Sequence, residues 1–193
     1  LKFAGKKIMV MSEHGRQNCT IDCQNAGSGF VFSNAVTTRA SVVDGFAIRN
    51  GNAQFNGYGE GDRYYGGGIL LMGQPLPNYQ SPTIQNCLIV SCSASFGGGI
   101  AVHINANNNP AVINCAIVSN TATYDSAAGG GMLVYGSSAS IRNSTIVYNT
   151  NSAVAAYGSP VSIQNTILWG NSSSQLTGAA NSTIEYSDIQ GGW

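Results

Sequence analysis

The stretch INCAIVSN at Ile113–Asn120 recurs along the chain with small changes. Its other copies are QNCLIVSC at Gln85–Cys92, RNSTIVYN at Arg142–Asn149 and QNTILWGN at Gln164–Asn171. Each of these four copies has an Asn at its second position, followed by a small residue and an apolar pair. Self-similarity of this kind is typical of repeat architectures, so the repeat is the first feature that a fold prediction must satisfy.

The interval between the copies indicates the size of the repeating unit. Four asparagines mark the column at intervals of 28, 29 and 22 residues: Asn86, Asn114, Asn143 and Asn165. A degenerate copy follows 21 residues later at Tyr186, and an earlier copy has Gly45 in the same place. The basic unit is therefore 21–22 residues long, and the longer intervals indicate insertions.

Within each unit the apolar residues recur with a period of two, which predicts β-strands. In the copy around Asn114 the inward columns are Val112, Cys115 and Ile117. The step of three residues from the first column to the second interrupts the alternation, so a corner is expected at the Asn. A third strand follows a glycine run in GGGILLM (Gly66–Met72), GGGIAVH (Gly97–His103) and GGGMLVY (Gly129–Tyr135).

Three short strands in such a brief unit cannot form hairpins with their own copies, but they can form one coil of a stack. Each strand then pairs in parallel with its copy on the next coil, about 4.8 Å away. The sequence thus predicts one all-β domain over 1–193, a right-handed parallel β-helix of about six to seven coils. Stacking also explains why only 8% of residues are charged, since like charges in register would repel.

Stacked coils bring equivalent side chains into contact. Asn86, Asn114, Asn143 and Asn165 are therefore expected to form a ladder of side-chain amides. Cys87 and Cys115 share an inward column on adjacent coils, at a separation that is compatible with a disulfide. Two buried thiols that pack as small apolar groups are the alternative.

Composition argues against several classes of partner. The formal net charge is zero, with 8 Lys and Arg against 8 Asp and Glu, and there is no basic cluster of the kind that binds nucleic acid. No apolar run approaches the ~18 residues of a membrane span. His14 and His103 lie far apart and no Cys-x-x-Cys pair occurs, so neither a zinc site nor a cofactor is predicted. A lyase that acts on acidic sugars would call for Ca²⁺ or another cation to neutralise the sugar carboxylate.

The pairing of Gly-Gly-Gly-apolar runs with Ile-x-x-Asn, at Ile117–Asn120 and Ile146–Asn149, resembles the right-handed parallel β-helix repeats of the pectate-lyase-like superfamily. It is similar in particular to β-helix regions of large bacterial surface and secreted proteins, including the chlamydial polymorphic outer-membrane proteins, which have Phe in place of Ile. The resemblance implies an extracellular or cell-surface location and a fragment of a longer chain. Members include polysaccharide lyases, glycoside hydrolases and non-catalytic adhesins, so it is specific for fold rather than activity.

A catalytic role on polysaccharide would need two carboxylates, or a base beside the sugar. The best cluster comes from two loops, Asn50–Gly67 and Thr121–Gly130, which lie ~10 Å apart and have room to meet across Ser93–Phe96. Their candidate catalytic residues are Glu60, Asp62, Arg63 and Asp125, and their candidate ligand-binding residues are Tyr64, Tyr65 and Tyr124. A solvated loop without catalytic function is the favoured interpretation.

The third strand presents a regular outer face. Its outward columns are Met72, His103, Tyr135 and Tyr157, beside Leu70, Ala101, Leu133 and Ala155. If this stripe is exposed, it forms an apolar surface to which a partner would bind, and its tyrosine rings would stack on sugars. His103, Tyr135 and Tyr157 are therefore candidate ligand-binding residues. In the alternative, an insertion such as Gly73–Gln80 covers the stripe.

The favoured interpretation is a non-catalytic extracellular module that binds polysaccharide or a cell-surface protein. A polysaccharide lyase or glycoside hydrolase is the first alternative. The second is a structural protein that self-associates through the unpaired strand edges at the two ends of the stack.

Overall fold

The computed structural model describes residues 1–33, 36–55, 59–60, 63–73, 80–103, 108–125 and 128–192. Three sheets, called here sheets one, two and three, run through the stack. Sheet one contains, in spatial order, β1 (Met9–Met11), β4 (Val42–Asp44), β9 (Thr83–Gln85), β13 (Ala111–Ile113), β17 (Ala139–Arg142), β20 (Val161–Gln164) and β23 (Thr183–Glu185).

Sheets two and three follow the same order along the stack. Sheet two contains β2 (Thr20–Asp22), β5 (Ala47–Arg49), β10 (Leu88–Val90), β14 (Ala116–Val118), β18 (Thr145–Val147), β21 (Ile167–Trp169) and β24 (Asp188–Ile189). Sheet three contains β3 (Phe30–Phe32), β8 (Ile69–Met72), β12 (Ile100–His103), β16 (Met132–Tyr135), β19 (Val154–Tyr157) and β22 (Leu176–Thr177).

Five further short elements lie in the connections. A 3-10 helix spans Ala53–Phe55, and β6 (Gly59–Glu60) pairs with β7 (Arg63–Tyr64) in antiparallel fashion. Between sheets two and three, β11 (Ser93–Ala94) pairs in parallel with β15 (Thr121–Ala122).

Every described pair within the three sheets is parallel and joins equivalent residues of neighbouring units. In sheet two, for example, Ile48 pairs with Ile89, Ile89 with Ile117, and Ile117 with Ile146. Sheets one and two have seven strands and sheet three has six. These observations confirm the predicted parallel β-helix, with three strands per coil and the predicted number of coils.

The corner predicted at the asparagine column is a left-handed backbone position. The φ angles of Asn86, Asn114, Asn143 and Asn165 are 55°, 52°, 50° and 50°. Asn enters this region at lower cost than most residues with a Cβ, because its short polar side chain bonds locally. The corner conformation is thus one physical reason for the repeated Asn.

The interior of the coil is filled by the inward columns and tapers along the axis. Near the N-terminus it holds four phenylalanine rings, and those of Phe3 and Phe32 stack at 4.3 Å. Further along, the same space is filled by smaller side chains such as Ala153, Ala156 and Val161. Parallel stacking therefore gives one continuous apolar core without a helix to cover it.

The predicted amide ladder at the first corner is only partly formed. Asn114 Nδ2 donates to Asn86 Oδ1 at 2.7 Å, and Asn165 Nδ2 donates to Asn143 Oδ1 at 3.2 Å. Among the described residues no hydrogen bond joins Asn114 to Asn143, and three of the four side chains are exposed. The prediction of one continuous ladder is wrong, since water competes for amides on the surface.

A buried ladder, absent from the sequence-based prediction, lies at the second corner. Asn120, Asn149 and Asn171 are 0%, 1% and 7% exposed. Asn120 Nδ2 and its backbone N–H both donate to Asn149 Oδ1, at 3.0 and 2.8 Å, and Asn149 repeats both bonds with Asn171 at 2.9 Å. Each amide also donates to a carbonyl of the coil before it. These asparagines satisfy backbone groups that the turn leaves unpaired inside the protein.

Candidate functional site

A pocket of about 360 Å³ opens at the corner between sheets two and three. It is called here the corner pocket, and its lining residues are Asn52, Gln54, Tyr64, Ser93, Ala94, Ser95 and Thr123. They come from three neighbouring coils, which the β11–β15 pair and the bridge between Asn52 and Ser93 hold in register. The stacking of coils thus brings together polar residues that are distant in sequence.

Backbone hydrogen bonds fix the three segments that form the pocket. Phe96 N donates to Tyr64 O at 3.0 Å, and Thr123 N donates to Ala94 O at 2.9 Å. Thr123 Oγ1 reaches the same Ala94 carbonyl at 3.2 Å, and Asn52 Oδ1 accepts from Gln54 N at 3.1 Å. The lining offers two side-chain amides, three hydroxyls and a phenol, all uncharged. Such a surface recognises hydroxyl-bearing ligands by hydrogen bonding.

Three pocket residues, Tyr64, Ser95 and Thr123, are each followed in the chain by an aromatic residue. Phe96 lies 4.6 Å from Tyr124 and 5.4 Å from Tyr65 between ring centroids. Tyr65 lies 3.9 Å from His103, which lies 5.5 Å from Tyr135. This ring series runs from one exposed tyrosine, Tyr124, to another, Tyr135. The two predicted loops therefore meet across Phe96, as the sequence analysis expected.

His103 occupies the buried centre of the ring series. It is 3% exposed, and its Nδ1 has no hydrogen-bond partner among the described residues. Burial lowers the pKa of His103 to about 4, because removal from water disfavours the charged imidazolium. The imidazole is thus neutral at physiological pH and acts as a packing ring between two tyrosines.

The outer stripe of sheet three is covered rather than open. Leu70, Ala101, Leu133 and Ala155 are at most 2% exposed and form a second apolar cluster with Val31 and Tyr65. Met72, Phe96 and Tyr157 pack against its edge. The prediction of an exposed stripe is wrong for this column, because its four residues are buried. Whether the insertion Gly73–Gln80 covers it, as in the alternative, stays a prediction, since residues 74–79 lie outside the described residues.

Tyr135 and Tyr157 lie on the outside of the coil in equivalent positions. They pair in register, and the neighbouring Val134 and Ala156 point into the core. Tyr135 is 47% exposed, while Tyr157 is half-buried. Burial first, and the nearby charge of Asp125 second, raise the pKa of Tyr157. The predicted parity of this strand is confirmed, and ligand binding by the two rings stays a prediction.

The candidate catalytic residues are only partly described. Asp62 lies outside the described residues, as do the side chains of Glu60 and Arg63, whose backbones pair across the β6–β7 hairpin. Asp125 is exposed on the segment that follows β15. Among the described residues, no group of three or more His, Cys, Asp or Glu side chains could hold a metal ion. A Ca²⁺ site stays a prediction.

All five cysteines are thiols in the structure. Cys87 and Cys115 are buried on adjacent coils, as their shared column predicts, but the proposed disulfide between them is not formed. Contact with the Cys87 sulfur and burial raise the pKa of the Cys115 thiol well above its usual range. Burial likewise raises the pKa of Cys92 to about 12. These thiols pack as small apolar residues, the alternative that the sequence left open.

No protein-family model, curated protein or solved structure matches this chain. The assignment of a parallel β-helix therefore rests on the strand pairing in the structure. The resemblance to pectate-lyase-like repeats remains a proposal. The described residues contain no helix with the length and apolarity that membrane crossing requires.

The segments that form this site and its tyrosines follow from the sequence, but its polar residues do not. The five polar residues Asn52, Gln54, Ser93, Ser95 and Thr123 lie in the three segments predicted to meet, yet only Tyr64, Tyr65 and Tyr124 were predicted as binding residues there. In a chain so rich in small polar residues, no local signal separates these five from other corner residues. Their common position, just after the second strand of successive coils, is the signal that could have found them.

Proposed function

We propose that this chain is a carbohydrate-binding β-helix module of an extracellular or cell-surface protein, with the corner pocket as its binding site. The observation that carries the proposal is the uncharged, hydrogen-bonding lining of the pocket beside exposed tyrosine rings. A sugar presents hydroxyls at its rim and C–H groups on its faces. The hydroxyls suit amides and serines, and the C–H faces suit aromatic rings.

The charge of the lining favours a neutral glycan. Seven described residues line the pocket, and none of them is Asp, Glu, Lys or Arg. A uronate would lose part of its hydration there without gaining an opposite charge, which costs free energy. The backbone hydrogen bonds between the three segments support binding by a preformed surface, which reduces the ordering cost of association.

Binding to a panel of neutral and acidic oligosaccharides, measured by calorimetry, tests this function. Replacing Tyr64 in the pocket, or Tyr124 beside it, with Ala removes a ring while leaving the coil core intact. Each is expected to weaken binding of a neutral glycan by about three- to tenfold, the equivalent of ~0.5–1.5 kcal/mol per aromatic contact. Tyr148→Ala is the matched control, since Tyr148 is an exposed tyrosine that does not line the pocket.

Two results would contradict the proposal. Absence of saturable binding to every glycan in the panel would reject the carbohydrate function. Cleavage of any of them, with or without Ca²⁺, would replace it with the lyase or hydrolase alternative, and loss of that cleavage in Asp125→Asn would locate the activity.

A further inference from the structure

The outer face of sheet one carries a second cleft, separate from the corner pocket. It has a volume of about 310 Å³ and is called here the basic cleft. Its lining residues are Arg39, Asn109, Ser138, Ala139, Ser140, Arg142, Pro160, Val161, Ser162 and Thr183. Among the described residues two arginines and no acidic residue line it, although the chain as a whole has as many acidic as basic residues.

Arg142 reaches the cleft because of strand alternation in β17. Ala139 and Ile141 belong to the core, so Ser140 and Arg142 share the outer face. In register, Arg142 lies between Ile113 and Gln164. Neither neighbour can neutralise a guanidinium, and Gln164 already donates to Glu185 at 3.1 Å.

Arg39 enters the same cleft from the loop before β4. Its Nη2 donates to Asn109 Oδ1 at 3.2 Å, and its carbonyl accepts from Thr83 Oγ1 at 3.1 Å. Burial first, and the charge of Arg142 second, lower the pKa of Arg39. The one ion pair among the described residues, Arg49 with Asp22, lies elsewhere. Two guanidinium groups thus line one cleft, and none of its described lining residues carries a carboxylate.

Ser140 supplies an unused hydroxyl to this cleft. Ser140 is 7% exposed, and its Oγ has no hydrogen-bond partner among the described residues. It lines the cleft and lies in register between Ala111 and Ser162. A buried hydroxyl without a partner costs stability, and a ligand oxygen in the cleft would remove that cost.

We propose that the basic cleft is a binding site for a tetrahedral oxyanion, a sulfate or phosphate group, held by Arg39, Arg142 and Ser140. Guanidinium groups form strong charge-assisted hydrogen bonds with such anions. Three donors from a loop and a strand suit a group with several oxygens better than a flat carboxylate with two. The anion would also cancel the repulsion between the arginines and satisfy the Ser140 hydroxyl.

Titration with inorganic sulfate and with inorganic phosphate, at constant ionic strength, tests the site. Saturable binding is expected, with acetate at least about tenfold weaker because it offers fewer oxygens to the donors. Arg39→Gln and Arg142→Gln are each expected to weaken binding by about tenfold or more, the range for loss of one charged hydrogen bond. Lys7→Gln is the matched control, since it removes an exposed positive charge that does not line the cleft.

Ser140→Ala separates a ligand role from a structural one. Because Oγ bonds nothing in the described protein, its removal should leave the thermal midpoint unchanged or higher while the affinity for sulfate falls. Equal affinity in Ser140→Ala, an equal loss in Lys7→Gln, or no saturable binding would each overturn the proposal. A comparison of one oligosaccharide with and without sulfate esters then decides the source. Tighter binding of the sulfated form assigns a glycan sulfate, and equal weak binding assigns the free ion.

Discussion

At the scale of single residues, the glycines of the triple run meet two different constraints. Gly129 has a φ of 65°, a left-handed backbone conformation at a corner of the coil. Gly130 has no such angle, but a Cβ built there would overlap the carbonyl oxygen of Thr150 on the next coil. A Cβ on Gly131 would lie 2.5 Å from the Ala153 carbonyl oxygen. The glycine run is therefore required by the close approach of two coils as well as by the sharp turn of the chain.

This distinction predicts unequal effects of alanine at two glycines. Gly130→Ala is expected to lower the free energy of unfolding by about 3 kcal/mol or more, because backbone atoms of the next coil must move. Gly136→Ala is the control, since Gly136 has a φ of 57° and open space around it. It should cost only the ~1–2 kcal/mol of a left-handed Ala. Urea unfolding measures both, and equal losses would show that close approach is not the constraint.

At the scale of elements, the two asparagine columns differ in what they hold together. The surface column at the first corner joins amides in separate pairs. The buried column at the second corner joins amides to each other and to backbone groups of adjacent coils. Only the buried column supplies hydrogen bonds to backbone groups that water cannot reach. It therefore contributes more to the stability of the stack.

Asn149→Ala should therefore be far more damaging than Asn143→Ala. Loss of Asn149 leaves the Asn120 N–H and the carbonyls of Ile117 and Val147 without this partner. At about 1–3 kcal/mol for each buried group, the expected loss is about 3 kcal/mol or more. Asn143→Ala removes one exposed bond and should cost about 1–2 kcal/mol, mainly from its left-handed backbone. Chemical denaturation of both variants makes the comparison, and a reversed order would refute the assignment.

The periodic part of the structure could be predicted from sequence, and the inserted part could not. Strand position, parity and register follow from the repeat, because equivalent residues of successive coils pair with each other. Ile89, Ile117 and Ile146 are an example. Whether Leu70 and Leu133 are exposed or buried could not be decided from the sequence, since their outward parity fits both and the inserted segments obey no period. Likewise, Arg39 and Arg142 share a cleft only because a loop lies across several coils.

At the scale of the whole molecule, the strand pairing that holds the stack together joins neighbouring coils. Each strand of the three sheets pairs with its copies on the adjacent coils, and the core is continuous through all of them. In such a solenoid, stability is a sum of coil terms and of interfaces between neighbours. The central coils have two interfaces, and their inward residues Ile89, Ile117 and Ile146 are all 0% exposed. In the described structure, β1, β2, β23 and β24 each pair with a strand on one side.

Native-state hydrogen exchange should reveal this gradient along the axis. The amides of β10, β14 and β18 are expected to exchange slowest, because each lies between two paired strands and over a buried core. Those of β1, β2 and β23 should exchange faster, since exposed and half-exposed residues alternate in all three. Val10, Ile21 and Ile184, their inward residues, are only partly buried. Mass spectrometry of the intact chain measures the order, and Asn149→Ala should speed exchange in β14 and β18 before it affects β2. Uniform protection from β1 to β24 would instead mean that the coils unfold as one cooperative unit.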